Sequence, residues 1–316
     1  MSPVVRVTAA AATEAPLPPR RLRLGLSELV LAARLAGDVP LPLRVDGHGA
    51  PDRLTERLAG TPLTLAHERL DEELARVDDA GPAGARAALV SRGAVDGAGV
   101  LDPALHAAIE NLAGAPLSVV LDVAVARRAG EVRLRTWSGV RRGLATQLTT
   151  GSGLEVELAW FDPRLWVSQL TRVVTAEPWV PDPAPLVVPD FVSLPSELLA
   201  GSEQAHRDQR TDLLPALAAG HVGRVRLGER RAVRDADSDE IHALLATLGG
   251  ACRGRLRLLT GRRDRPADPP AVTTWLMFDD GWHELRPGRD ATSVLRRRDA
   301  RDLGLLTWPL VEGVPA

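Results

Sequence analysis

The chain has 316 residues, 45% hydrophobic and 25% charged, with 39 basic and 41 acidic side chains and a formal charge of −2. That balance suits a globular protein of one or two domains and gives no electrostatic reason to expect nucleic acid. All 39 basic residues are arginine, which excludes lysine-based phosphate loops, Schiff bases and lysine general bases.

The lone cysteine, Cys252, permits neither an internal disulfide nor a thiolate metal cluster. Apolar runs such as 119–126 are short, broken by Asp122, and far below the ~20 residues that cross a bilayer. The first residues carry Glu14 and prolines 16, 18 and 19 instead of an apolar signal segment, so the expected location is the cytoplasm.

Residues 1–20 read as a flexible Pro/Ala-rich leader with a short strand at 4–8. A helix capped by Ser27 runs to Gly37, with Leu26 stapled onto Leu31. Val39, Leu41, Leu43 and Val45 alternate with prolines and charges, the pattern of an edge strand. Helices follow over 52–95, with Leu70, Leu74 and Val77 on one stripe. Asp102 and Pro103 open a sharply bounded helix striped by Leu105, Ile109 and Leu112 and closed at Gly114.

Four strand patterns come next. They cover 117–125, 132–137, 144–149 and 154–161, with a turn at Gly151-Ser152-Gly153, and their close spacing predicts an antiparallel meander. Asp162-Pro163 starts a helix carrying Trp166, Leu170 and Val173 on one face, and a proline-rich stretch over 175–192 leads onward.

The same order then returns. Helical segments cover 195–219, and Asp237 with Glu240 forms a capping box for a helix striped by Ile241, Leu244, Leu245 and Leu248. Strands follow near 254–261, 271–278, 281–286 and 291–298. Asp299 opens a last helix with Leu303, Leu306 and Leu310, which Pro309 must kink or shorten. The segment at 105–114 matches 241–250 at a shift of 136, and the junction at Asp162 matches Asp299 at a shift of 137. Two junctions agreeing within one residue point to an internal duplication. The expected fold class is therefore α/β (α+β): a pseudo-two-fold duplicated unit with a central, mostly antiparallel sheet and flanking helical bundles. Residues 21–316 form one domain of two related halves, about 21–174 and 185–316.

Chemical constellations are sparse. His106 and His242 occupy equivalent helix-surface positions and read as boundary residues, not ligands. Asp279-Asp280-Gly281 lies between two alternating runs and reads as a hairpin turn, with His283 and Glu284 on opposite faces. No metal site and no cofactor is expected. Seven of the ten aromatic residues are tryptophan, and Trp137 and Trp275 fall opposite their strands' main apolar stripes. An exposed sheet face with aromatic and arginine anchors would suit protein binding. Strand alternation proposes Arg135, Trp137, Glu157 and Phe161 for it, joined by Trp275 and Met277 from the second half.

The passages at 24–43, 89–112 and 156–174 resemble the EspG family, cytosolic chaperones of the ESX (type VII) secretion systems of actinobacteria. Arg253-Gly254-Arg255-Leu256 and the stretch from Asp280-Gly281-Trp282 through Asp302-Leu303 are similar too. The resemblance implies a pseudo-symmetric α/β fold without catalytic residues. It also implies partners: secreted helical-hairpin proteins, PE–PPE-like or WXG-type, whose hydrophobic tip the chaperone covers. The alternatives are a small-molecule enzyme with His283, Asp280 and another carboxylate around one deep pocket between the halves, and an intracellular immunity or scaffold protein of the same fold class.

Overall fold

The computed structural model describes residues 18–43, 76, 83–127, 130–150, 155–175, 187–229, 232–265 and 267–314. The expected strand at 4–8, the helical stripe at 70–77, the turn at 151–153 and most of the proline-rich stretch lie outside them. The first half comprises β1 (Arg20–Gly25), α1 (Leu26–Leu35), α2 (Ala83–Ser91), α3 (Pro103–Gly114), β2 (Leu117–Arg127), β3 (Gly130–Arg141), β4 (Leu144–Thr150), β5 (Glu155–Phe161) and α4 (Trp166–Val174). The second comprises β6 (Phe191–Pro195), α5 (Ser196–Arg207), α6 (Leu214–Ala219), β7 (Arg226–Glu229), β8 (Ala232–Asp235), α7 (Ser238–Gly250), β9 (Gly254–Arg262), β10 (Ala271–Phe278), β11 (Gly281–Pro287), β12 (Thr292–Arg298) and α8 (Ala300–Glu312).

All twelve strands join one antiparallel sheet in the order β1-β5-β4-β3-β2-β9-β10-β11-β12-β6-β7-β8. The order is a palindrome of equivalents: β2 corresponds to β9, β3 to β10, β4 to β11, β5 to β12 and β1 to β6. The hairpin β7–β8 extends the second half. Its counterpart before α3 is a single bridge, Val95 with Leu101. At the centre β2 and β9 pair so that Leu121 lies opposite Leu258, two residues 137 positions apart. The duplication shift read from the junctions thus coincides with a direct backbone pairing, which places the pseudo-dyad there.

Local signals explain the helix boundaries. Asp102 accepts from the Ala104 and Leu105 amides, with Pro103 in the first turn. Asp237 and Glu240 form the expected capping box. At α1 the cap is Gly25, not Ser27, and the Glu28 carboxylate reaches back to the Gly25 amide at 3.0 Å. Strand β1 runs directly into this helix, so the chain turns two residues earlier than the Ser27 cap predicts. Residues 39–43 form no strand; after Gly37 (φ 98°) and Asp38 (φ 55°) the chain leaves α1 in turns.

Packing is layered on both faces of the sheet. One face carries two separate cores. Helices α1–α3 cover Leu24, Trp137, Leu148, Val156 and Leu158, and α5–α7 cover Val192, Leu194, Leu276, Phe278 and Leu295. The other face carries a single central core under α4 and α8. It contains Leu117, Leu121, Phe161, Trp166, Leu170, Leu258, Trp275, Trp282 and Leu303. The sheet sides of β2 and β9 feed it from both halves, as expected for strands next to a dyad.

Helices α4 and α8 cross where Val167 meets Gly304, again residues 137 apart; a Cβ added at Gly304 would lie 2.7 Å from the Val167 Cα. Beside this contact the Trp166 indole donates to the Thr307 hydroxyl at 2.8 Å. The buried stripe of α8 is Leu303, Gly304, Thr307 and Val311, so Leu306 faces outward, unlike the expected stripe. Pro309 does not end the helix, which continues to Glu312. The carbonyl it leaves without a helical donor belongs to Leu305, an exposed residue. Gly304→Val should lower unfolding free energy by about 1–3 kcal/mol through overpacking. Chemical denaturation of the variant checks this; an unchanged midpoint would contradict so close a crossing.

Candidate partner-binding surface

The six residues proposed by strand alternation do not share an exposed face. Arg135 and Trp137 project to the side of α1–α3, whereas Glu157, Phe161, Trp275 and Met277 project to the side of α4 and α8. Trp137 is 5% exposed, Phe161 4% and Trp275 0%, and Met277 is half-buried against the central core. The reason is architectural. Alternation reveals which side of a strand a residue takes, but here both sides carry helices, so neither is bare.

Two of the six enter polar clusters. Arg135 makes a bidentate pair with Asp122 on neighbouring β2, through Nε to Oδ1 and Nη2 to Oδ2, the latter at 2.9 Å; its guanidinium carbon also lies 5.6 Å from the Trp137 ring. Both partners of this pair are largely buried. Glu157 accepts from Arg21 on β1 at 2.6 Å and from Arg172 on α4. Arg21 also donates to Gln169 of α4. Burial pulls the Glu157 carboxyl upward, but Arg172 and Arg21 outweigh it and hold the group below the ordinary carboxylate range. This network ties the rim of α4 to the sheet.

What is open lies at the far end of the second half. A groove of about 770 Å³ runs between the start of α8 and the β7–β8 hairpin. Its floor follows one cross-strand row, Arg296, Phe191, Gly228 and Val233, set by the registers of β12 with β6, β6 with β7 and β7 with β8. Trp282 and Arg298 line the next row. Gly228 keeps this row close-packed: a Cβ would sit 3.1 Å from the Val233 side chain and 3.3 Å from the Phe191 Cβ, so its neighbours would have to shift by a few tenths of an ångström. Val233 is exposed, and all four residues of edge strand β8 face solvent. Buried Glu284, opposite Arg296 in the same row, takes Arg286 and Arg298, the latter at 2.8 Å through Nε. The Arg296 guanidinium carries no hydrogen bond or ion pair among the described residues. Aromatic and arginine anchors on an open sheet face therefore do occur, on Phe191 and Arg296. Phe191 was missed because it sits at the end of a proline-rich stretch with too short an alternation to read.

The groove's end holds the group considered for acid–base chemistry. Asp279 and Asp280 form the two-residue turn between β10 and β11, as expected, and His283 and Glu284 take opposite faces. His283 Nε2 lies 3.8 Å from Asp280 Oδ2, and Arg297 donates to the Asp280 carbonyl at 2.7 Å. Asp280 lines the groove, but the imidazole is wholly buried against Phe278, with neither ring nitrogen hydrogen-bonded. Burial pushes the Asp280 carboxyl up and the His283 imidazole down, each toward its neutral form. Among the described residues, no three His, Cys, Asp or Glu side chains converge to hold a metal ion. His106 pairs with Glu110 on the helix surface and His242 is exposed, matching their boundary reading.

These features define a scaffold class: a pseudo-symmetric antiparallel sheet with helices on both faces and an open groove at one end of the sheet. The chain has the fold of the Mycobacterium tuberculosis type VII secretion system chaperone EspG5, as solved in complex with the PE25–PPE41 dimer. The TM-score is 0.52 at 12% identity, over 94% of this chain and 97% of EspG5. No protein-family model matches the sequence, and no curated protein matches it. No helix among the described residues is long and apolar enough to cross a membrane.

Two outcomes test the site's electrostatics. Arg135→Ala should cost about 3–5 kcal/mol, because Asp122 is left as a buried charge without its partner, whereas the double variant Asp122→Leu/Arg135→Met should recover much of it. Equal costs for both, by urea denaturation, would contradict the pairing. The depressed pKa of His283 favours the folded state above the imidazole's unfolded value and loses that contribution as pH falls through the folded one. His283→Leu should therefore reduce the loss of melting temperature between pH 7 and pH 5; an unchanged pH dependence would show that His283 does not titrate there.

Proposed function

We propose that this protein is a non-enzymatic chaperone or adaptor of a type VII secretion system. It acts in the cytoplasm on helical-hairpin export substrates of PE–PPE-like or WXG-type. The observation that supports the reading is the likeness in fold, over 94% of this chain at a TM-score of 0.52, to a chaperone solved in complex with the PE25–PPE41 dimer. The sequence resemblance points the same way from separate residues. The mechanism is physical. A hairpin tip that exposes apolar side chains aggregates, and covering it removes apolar area from water at about 25 cal/mol per Å². Binding only the folded client also shifts its equilibrium away from unfolded and self-associated forms. An interface of ordinary size with a polar rim allows release at the membrane.

Co-expression with the small helical-hairpin proteins encoded beside its gene tests this. The expected result is that a client insoluble alone becomes soluble and co-purifies in a fixed ratio. Failure of every such neighbour to be solubilised or retained would overturn the reading.

A further inference from the structure

The two halves are built alike but finished differently, and the difference has one sign. The caps Asp162 and Asp299 align α4 with α8 at a shift of 137, and burial follows the alignment closely. Trp166 and Leu303 are both fully buried, as are Leu170 with Thr307 and Val174 with Val311. The widest departure is at one position: Gln169 is buried at 7% exposure, whereas its counterpart Leu306 is 41% exposed. The polar side chain is inside and the apolar one is outside.

The neighbours of this position change together. In the first half Arg21, Glu157, Gln169 and Arg172 form the closed network that fastens α4 to the outer strands. Register identifies their equivalents. Arg21 pairs with Ala159 as Phe191 pairs with Arg296, and Glu157 corresponds to Val294. Gln169 corresponds to Leu306 and Arg172 to Pro309. All four polar members are replaced by Phe191, Val294, Leu306 and Pro309. Phe191 and Val294 are only half-buried, Leu306 and Pro309 are exposed, and Leu305 beside them is exposed as well. The patch borders the groove through Phe191, and Arg296 stands at its margin with an unpaired positive charge.

We propose that this apolar patch, with Arg296 beside it, docks the hairpin end of the exported client, and that the docking end presents apolar side chains next to a carboxylate. The inference rests on the chaperone reading and gives it a place and a chemistry. Apolar contact supplies the area removed from water, and Arg296 supplies the selectivity: a cation at the edge of a desolvated patch favours an anionic partner and disfavours a basic one. The first half cannot serve in the same way, because its equivalent surface is consumed by internal ion pairs. One chain thus has one such dock despite its symmetry.

The test uses two variants at exposed positions. Leu306→Gln installs the residue of the symmetric position, and Arg296→Glu reverses the charge. Their melting curves should match the wild type. The first probe is 1-anilinonaphthalene-8-sulfonate, an apolar anion; both variants should weaken its fluorescence enhancement. The second is the client that co-purifies with the wild-type chain, for which each variant should lose affinity about tenfold. A client carrying a lysine in place of its tip carboxylate should regain binding to Arg296→Glu. Wild-type affinity of both variants for the client would overturn the dock while leaving the chaperone reading intact. Absence of any client would overturn that reading and this occupant with it.

Discussion

The backbone ladder between β2 and β9 is the constraint on which the molecule depends. Each strand pairs inward with its own half's meander and outward with the other half, and the outward pairing converts a five-stranded and a seven-stranded sheet into one. Because the ladder passes through the dyad at Leu121 and Leu258, it fixes every other equivalence, including the crossing of α4 and α8 at Val167 and Gly304. Two cores on one face can remain separate because the shared core on the other face binds the halves together.

Symmetry has been kept where burial enforces it and lost where it does not. Positions beneath α4 and α8 keep matching burial, since a cavity or an overpacked side chain there would cost the fold directly. At the sheet ends no such pressure acts, and the halves diverge. The first half closes its rim with arginine and carboxylate side chains. The second adds the β7–β8 hairpin and leaves an apolar margin beside an open groove. A scaffold that repeats itself internally therefore presents a one-sided surface to its surroundings.

The duplication, the meanders and the caps at Asp102 and Asp237 were legible in the sequence because each rests on local chemistry: Asp102 before Pro103, Asp237 with Glu240, and strict alternation along 117–125. Strand β1 escaped notice because Arg20–Gly25 is short, and its pairing with β5 joins residues far apart in the chain. The apparent strand at 39–45 shows the converse, an alternation without a neighbouring strand to satisfy it among the described residues. Surface residues were the hardest to place. Trp137, Phe161 and Trp275 each lie opposite their own strand's main apolar stripe, but Trp137 and Phe161 fall on different faces of the sheet and all three lie beneath helices, because period-two patterning fixes neither the register between strands nor solvent exposure. The informative signal lay elsewhere, in comparing the halves position by position: Gln169 against Leu306 and Glu157 against Val294.

A sheet joined through antiparallel strands across a two-fold axis has the geometry by which two identical chains associate edge to edge. Each half on its own would end in an uncovered β2-like margin, complementary to a second copy of itself. The present chain thus holds within a single polypeptide the arrangement of a two-fold dimer. In one polypeptide each half can carry its own side chains, as Gln169 and Leu306 do, whereas a true homodimer places every substitution twice.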